Sequence, residues 1–381
     1  MTAVKHVRLH DVAGYSDTRI SSSVLSVKSY VGTENLIEGK LGVIESSYMP
    51  EKGQCIEYQK GDTLIGNIRP YLKKIWFAEN TGGSSPDVLT IRPKENINAK
   101  FLFYALFRDD FFSHMMNGRK GTKMPRGDRN QVMDFLIPDF SPTEQDRVVS
   151  ILEPIDKLIQ KNLDFNTVLE AYLRTCYEYW FLQFDFPDSD GKPYKSSGGS
   201  LKWCPVLKRD IPESWSTIQL SDLLPVLTGK EDANFATSDG KFSFFTCSED
   251  VYKCDSYAFS GKAVLLAGNG NFNIKLYNGK FNAYQRTYVL IPNDVKHYTN
   301  VYFSVKDRIQ HLTNGSRGSI VKFITKGDIE TIPIALPPRG YDHLFEVLNS
   351  VSDLLESNLR ENQRLKELRD YLLPLLMNGQ I

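Results

Sequence analysis

Two stretches of this chain carry the same heptad seam, and that repeat limits the architectures open to it. The first begins at Val148 and the second at Leu344, and at an offset of 196 residues they align without gaps. Seam positions in the first copy are Val148, Leu152, Ile155, Ile159, Asn162, Asn166, Leu169, Leu173, Cys176 and Trp180. In the second they are Leu344, Leu348, Val351, Leu355, Asn358, Asn362, Leu365, Arg369, Leu372 and Leu376. The 4-3-4-3 spacing is that of a coiled coil. One such stripe is ordinary core, but two in register predict helices that pair with each other.

The asparagines sharpen the expectation. Each seam holds two, four residues apart and near its midpoint: Asn162 with Asn166, and Asn358 with Asn362. A buried amide is stabilised only by a polar partner, so such positions specify register. Antiparallel pairing sets Asn162 against Asn362 and Asn166 against Asn358. It also brings the end of the first helix close to the segment that starts the second.

Local signals mark the helix ends. Ser141-Pro142-Thr143-Glu144 is a capping box with proline at the first helical position. Pro154 is expected to kink or break the first helix, and Pro374 to bend the end of the second. The repeat extends upstream. Asn117-Gly118 matches Asn314-Gly315, Gly127-Asp128 matches Gly327-Asp328, and GDTLIGNI from Gly61 loosely matches GKAVLLAGN from Gly261.

The expected order is therefore a globular unit over 1–141, a helix over 142–185, a linker and second unit over 186–338, and a helix over 339–381. The Pro/Gly/Ser-rich stretch 185–200 reads as the linker. Strands are expected at 63–68, 74–78, 87–92, 243–246, 263–267 and 286–291, and helices near 99–116 and 298–312.

The chain has 381 residues and equal numbers of basic and acidic side chains, 46 of each. The four segments carry about +3, −4, +3 and −2, so neutrality is a sum of mildly basic units and acidic helices. Five of the residues from Arg119 to Arg129 are basic (Arg119, Lys120, Lys123, Arg126 and Arg129), interleaved with Gly121, Pro125 and Gly127. A basic, glycine-containing loop suits close approach to a phosphate backbone and to guanine edges. Its bland reading is a solvated surface loop. Arg69, Lys73 and Lys74 around Tyr71 form a second patch. In the second unit the candidates are Lys275, Lys280, Arg286, Arg317, Lys322 and Lys326. Asn269, Asn271 and Asn273 either read adenine edges or serve as turn residues.

Chemistry-bearing motifs are scarce. There is no phosphate loop, no [DN]-P-P-[YFW] tetrapeptide of adenine methyltransferases and no dinucleotide fingerprint. Asp188 and Asp190 ahead of Lys192 superficially resemble a nuclease site, but their spacing is too tight to hold a metal between two strands. His6 and His10 have no third ligand in helical context, and five cysteines with no C-x-x-C pair read as free thiols. The N-terminal stretch lacks an apolar signal core and no run is long enough for a membrane helix. A non-catalytic cytoplasmic binding protein is the expectation.

The strings GDTLIGNIRP (61–70), GTKMPRGDR (121–129), SPTEQDRVVSILEPIDKLI (141–159), DGKPYKSSGGSLKWCPVLKRDIPESW (190–215) and LRDYLLPLLMNGQI (368–381) resemble the specificity (HsdS) subunits of type I restriction–modification systems. The resemblance spans the whole chain. Two departures are Pro154 inside the first helix and the absence of a second PTEQ start. The resemblance implies an α+β fold in which two mixed α/β target-recognition domains are joined by two long helices in an antiparallel coiled coil, with internal pseudo-twofold symmetry. It implies that each domain reads one half of a bipartite, asymmetric site on double-stranded DNA. The coiled coil then acts as a ruler, and ~40 residues at about 1.5 Å each make it roughly 60 Å long.

The implied partners are two modification (HsdM) subunits, which use S-adenosylmethionine to methylate adenine, and restriction/motor (HsdR) subunits, which use ATP and Mg. This chain itself is implied to bind none of those cofactors. The recognition subunit of a type IIB-like system and a non-DNA coiled-coil scaffold are the alternatives.

Overall fold

The computed structural model describes residues 4–121, 123–270, 272–314 and 323–380. The fold is α+β, with two compact units: Met1–Ile159 with Gln363–Ile381, and Gln160–Asn362. Both long helices, Pro142–Tyr177 and Asp342–Met377, contribute residues to each unit.

The first unit holds two four-stranded sheets. One orders the strands Ala13–Tyr15, Val88–Pro93, Thr63–Gly66 and Ile75–Phe77, all antiparallel. The other orders Arg19–Ser21, Gln54–Tyr58, Gly82–Ser84 and Tyr30–Val31. Ala99–Leu106 forms a helix because Asn98 caps it, its side-chain oxygen accepting from the amides of Lys100 and Phe101. Residues Phe101 to Leu106 are all buried, so this helix is the centre of the core. Val148, Leu152, Leu373, Leu376 and Met377 of the long helices complete the same core.

The helix expected over 99–116 is two helices, Ala99–Leu106 and Asp109–Asn117. Arg108 between them is extended, and Asp109 and Asp110 occupy the first turn of the second, where acidic side chains suit the positive helix end.

The second unit is built on a six-stranded sheet in the order Val226–Thr228, Thr287–Leu290, Phe259–Ala267, Ile274–Ala283, Phe242–Phe245 and Val251–Cys254. All neighbours are antiparallel except Phe242–Phe245 with Ile274–Ala283. The helix Tyr298–Asn314 covers it. Leu201–Cys204 with Arg209–Pro212, and Ser216–Gln219 with Pro333–Leu336, form two smaller ladders.

Two sequence readings change. Pro154 lies inside an uninterrupted helix. Its neighbours Leu152 and Ile155 are both buried in the seam, and that packing outweighs the ~3 kcal/mol that an interior proline costs. The stretch 185–200 is also more than a bare linker. Phe186 is buried and stacks on Trp180, Tyr194 and Trp215. Asp185 accepts from the Ser196 amide and hydroxyl, both at 2.7 Å.

Within each unit the long helices run antiparallel. In the second, Asn162 donates to Asn362 at 2.9 Å and Asn358 donates to Asn166 at 2.8 Å. The first asparagine of each copy thus donates to the second asparagine of the other. In the first unit the odd seam residue Arg369 has a partner: it donates to Asp156 at 2.9 Å and lies over the Phe107 ring. Tyr104 donates to the other Asp156 oxygen at 2.7 Å. Tyr298 likewise donates to Glu356 at 2.7 Å in the second unit. Burial pushes the Glu356 carboxyl above the ordinary glutamate range, even against Tyr298 and Arg360, which favour its charge.

Two predictions follow from the helix pair. Asn358→Leu leaves the Asn166 oxygen without its donor and is expected to cost about 1–3 kcal/mol. Adding Asn166→Leu should recover part of that loss, and a denaturation double-mutant cycle checks it; additive losses would refute the coupling. Glu356 holds its proton more tightly in the folded chain than in the unfolded one. Stability is therefore lost as pH rises from the ordinary carboxyl value, about 4.3, toward the raised folded value. Glu356→Gln keeps an acceptor for Tyr298 without a charge. Denaturant midpoints should coincide with the native chain at low pH and exceed it at neutral pH.

Candidate nucleic-acid interface

In the first unit the two basic patches become one. The strand Thr63–Gly66 ends where Gly66 leaves no room for a side chain: a Cβ there would sit 3.0 Å from the Lys74 Cβ. Asn67 follows, buried, and donates to the Gly127 carbonyl at 3.3 Å. Ile68 bridges to Arg126, and the Arg69 amide donates to the Pro125 carbonyl at 2.7 Å. Arg69 and Lys73 both adopt left-handed backbone, φ 52° and 50°, around the turn Pro70–Leu72. Arg126, itself bridged to Lys120, is thereby clamped with Pro125 against the turn at 69–73.

The cations of this patch differ in what they touch. Lys73 reaches Asp109 at 3.0 Å, a carboxylate shared with Lys40 at 2.7 Å. Lys74 donates to the Thr33 carbonyl at 2.9 Å. Arg119 donates to the Met116 carbonyl, Lys120 pairs with Asp128 at 2.5 Å, and Arg129 lies over the Tyr15 ring. Arg126 pairs with Asp87 at 3.1 Å while staying exposed. Arg69 and Lys123 are exposed. Asp128 also caps the helix Arg129–Met133, and Lys120 with the Gln131 and Asn130 amides holds its carboxyl below the usual range.

The second unit repeats the construction. The strand Phe259–Ala267 ends at Gly268, where a Cβ would lie 2.7 Å from the Arg286 carbonyl. The Gly268 amide donates to that carbonyl at 2.9 Å, and Gly268 accepts from the Ile324 amide at 3.0 Å. Asn269 bridges to Phe323 as Ile68 bridges to Arg126. Tyr288 donates to the Ile324 carbonyl at 2.8 Å. Asn269, Arg286, Tyr288, Phe323 and Lys326 thus line one cleft. Lys326 also pairs with Glu330 at 3.4 Å.

Lys275 lies apart from this cleft. Its ammonium donates to Ser248 at 2.6 Å and to Asn273 at 2.5 Å, and burial pulls its pKa down. Lys280 stands over the Tyr257 ring. Asn271, Arg317 and Lys322 lie outside the described residues.

Sequence reasoning missed Asn67 and the acidic partners Asp87 and Asp109. The shared Gly-Asn ending of GDTLIGNI and GKAVLLAGN was the available signal for Asn67. No group of three or more potential metal ligands occurs among the described residues. Asp188 accepts from the Asp190 and Lys192 amides, so it shapes a turn. No helix among the described residues is long and apolar enough to cross a membrane.

Residues 212–367 match a family described as type I restriction modification DNA specificity domain. The chain is 43% identical to the EcoDI type I restriction enzyme specificity subunit of Escherichia coli, over 45% of this chain and 39% of that protein. It is 23% identical to the HindI specificity subunit of Haemophilus influenzae across 100% of both chains. It is 22% identical to the MjaIX specificity subunit of Methanocaldococcus jannaschii, over 85% of this chain and 78% of the relative. The fold is that of the type I restriction–modification S subunit from M. genitalium, with TM-score 0.60, 14% identity, and coverage of 99% and 97%. Residues 212–367 thus match the family's DNA specificity domain, and the chain is similar to type I restriction–modification specificity subunits along its length.

Proposed function

We propose that this chain is the DNA sequence-specificity subunit of a type I restriction–modification complex. Each recognition unit binds one half of a bipartite, asymmetric duplex target, and the coiled coil sets the gap. One observation carries the reading: a strand ending in Gly-Asn is tied twice by a β-bridge to a second loop bearing basic side chains, Ile68 to Arg126 in the first unit and Asn269 to Phe323 in the second. Phosphate contacts from such side chains supply affinity, and base edges supply specificity.

The chain positions partners and performs no chemistry itself. Modification subunits with S-adenosylmethionine methylate adenine in each half-site. Restriction subunits with ATP and Mg cleave unmodified DNA in the cytoplasm. In the recognition domains over 1–141 and 186–338, Arg69, Lys123 and Arg126 face DNA on one side, and Asn269, Arg286 and Lys326 on the other.

Co-expression with its modification partner, followed by mapping of methylated adenines, should give two half-sites with a constant gap. Exchanging residues 1–141 for another recognition domain should alter one half alone. A single undivided motif, or no methylation, would refute the reading. Lys123→Ala and Arg126→Ala should each weaken binding by the assembled complex and lower the salt slope by about one. An unchanged slope removes that residue from the interface.

A further inference from the structure

We propose that each recognition unit carries an apolar wedge that enters the DNA base stack beside the target adenine. The inference rests on the recognition role proposed above and names how the same clefts act on the duplex.

In the first unit three loops are zipped together by backbone hydrogen bonds. The Lys40 amide donates to the Lys73 carbonyl at 2.9 Å, and the Arg69 amide donates to the Pro125 carbonyl at 2.7 Å. Each loop exposes one large apolar side chain beside these bonds: Leu41 at 55%, Tyr71 at 51% and Met124 at 53%. Their setting is cationic, with Arg69, Lys123 and Arg126 exposed on the same loops. An apolar tip flanked by Arg69 and Lys123 has charge complementarity to a polyanion whose interior is a stack of apolar faces.

The backbone shows that the tip is held in place. Gly39, Lys40 and Gly42 have φ of 68°, 65° and 92°, and Arg69 and Lys73 lie in the same left-handed region. Non-glycine residues persist there only where their surroundings over-determine the conformation. Lys40 and Lys73 are also pinned to one carboxylate, Asp109. Leu41 and Tyr71 therefore project from rigid turns.

The second unit supplies independent support. Phe323, 67% exposed, sits at the bridge to Asn269, the counterpart of the bridge from Ile68 to Arg126. Arg286 and Lys326 line the same cleft. Two units with different sequences thus put an exposed apolar side chain and cations at the same strand end.

The chemistry explains the need. An adenine in a duplex must leave the stack before a methyl donor can reach it, and opening the pair is unfavourable. Apolar side chains inserted between base steps offset unstacking. The partner extrudes the base, and this chain fills the step that opens.

The test uses the full chain assembled with its modification partner and two duplexes. One carries the normally paired target; the other carries an abasic site opposite the target adenine, which is already open. Tyr71→Ala should slow methylation of the first unit's half-site about ten-fold or more on the paired duplex and by less than about three-fold on the opened one. Tyr71→Phe, which keeps the apolar face, should methylate at the native rate. Phe323→Ala should show the same pattern on the other half-site. An equal defect on both duplexes would make Tyr71 an ordinary contact and overturn the proposal, as would no defect on either. A native complex that methylates neither duplex would sink the recognition role itself, and the wedge with it.

Discussion

The crossed amides of the coiled coil govern much else. Asn166, Asn358 and Asn362 are buried. A heptad slip would leave them facing Leu, Ile or Val, at the expense of unsatisfied polar atoms in a closed seam. Apolar heptads alone tolerate such slips; the asparagines do not. Asp156 and Arg369 apply the same logic in the other unit, with a charge pair in place of amides. Register then passes to the recognition units through two hydroxyls. Tyr104 reaches Asp156 and Tyr298 reaches Glu356, each from a helix in the core of its own unit. A carboxylate beside the seam accepts one such bond only where the helix stands at one height. The polar positions of the seam therefore align the globular units on their helices as well as the helices with each other.

Much of this was legible because helical periodicity is a local signal that repeats. The seam named its own partners, and antiparallel pairing then set Asn162 against Asn362. The capping box at Ser141 was equally local: Glu144 accepts from the Ser141 amide at 2.8 Å. The sheets were less legible. Strands such as Ile274–Ala283 mix Lys, Asn and Gly with apolar residues, because one face is partly exposed and the partners are set by tertiary pairing. Pro154 misled in the opposite direction. A local rule against proline was overruled by burial on either side of it.

The basic patches show a third kind of limit. Composition counted Lys73, Lys74 and Lys275 with Arg69 and Lys123 because charge is visible in sequence and its partner is not. Asp109 lies 36 residues beyond Lys73, and no spacing rule connects them. Lys275 is tied to Ser248 and Asn273, uncharged groups that a charge count ignores. Arg69 and Arg126, in contrast, look like unrelated patches in sequence. Their juxtaposition depends on one amide meeting the Pro125 carbonyl and on a buried Asn67 that no charge-based search would select.

Several of these cations already have acidic partners. Arg126 with Asp87, Lys120 with Asp128 and Lys326 with Glu330 are exposed pairs, and pairs of that kind contribute little to stability. A DNA phosphate exchanged for the carboxylate therefore disturbs the fold only slightly. The exchange still gains attraction, but less than a free cation would, because the carboxylate contact is given up. If these cations face DNA as proposed, such a surface grips nonspecific DNA less tightly than one of unpaired cations. On the proposed reading, strong binding then comes from features a random sequence does not offer: complementary base edges and an openable step beneath the apolar tips.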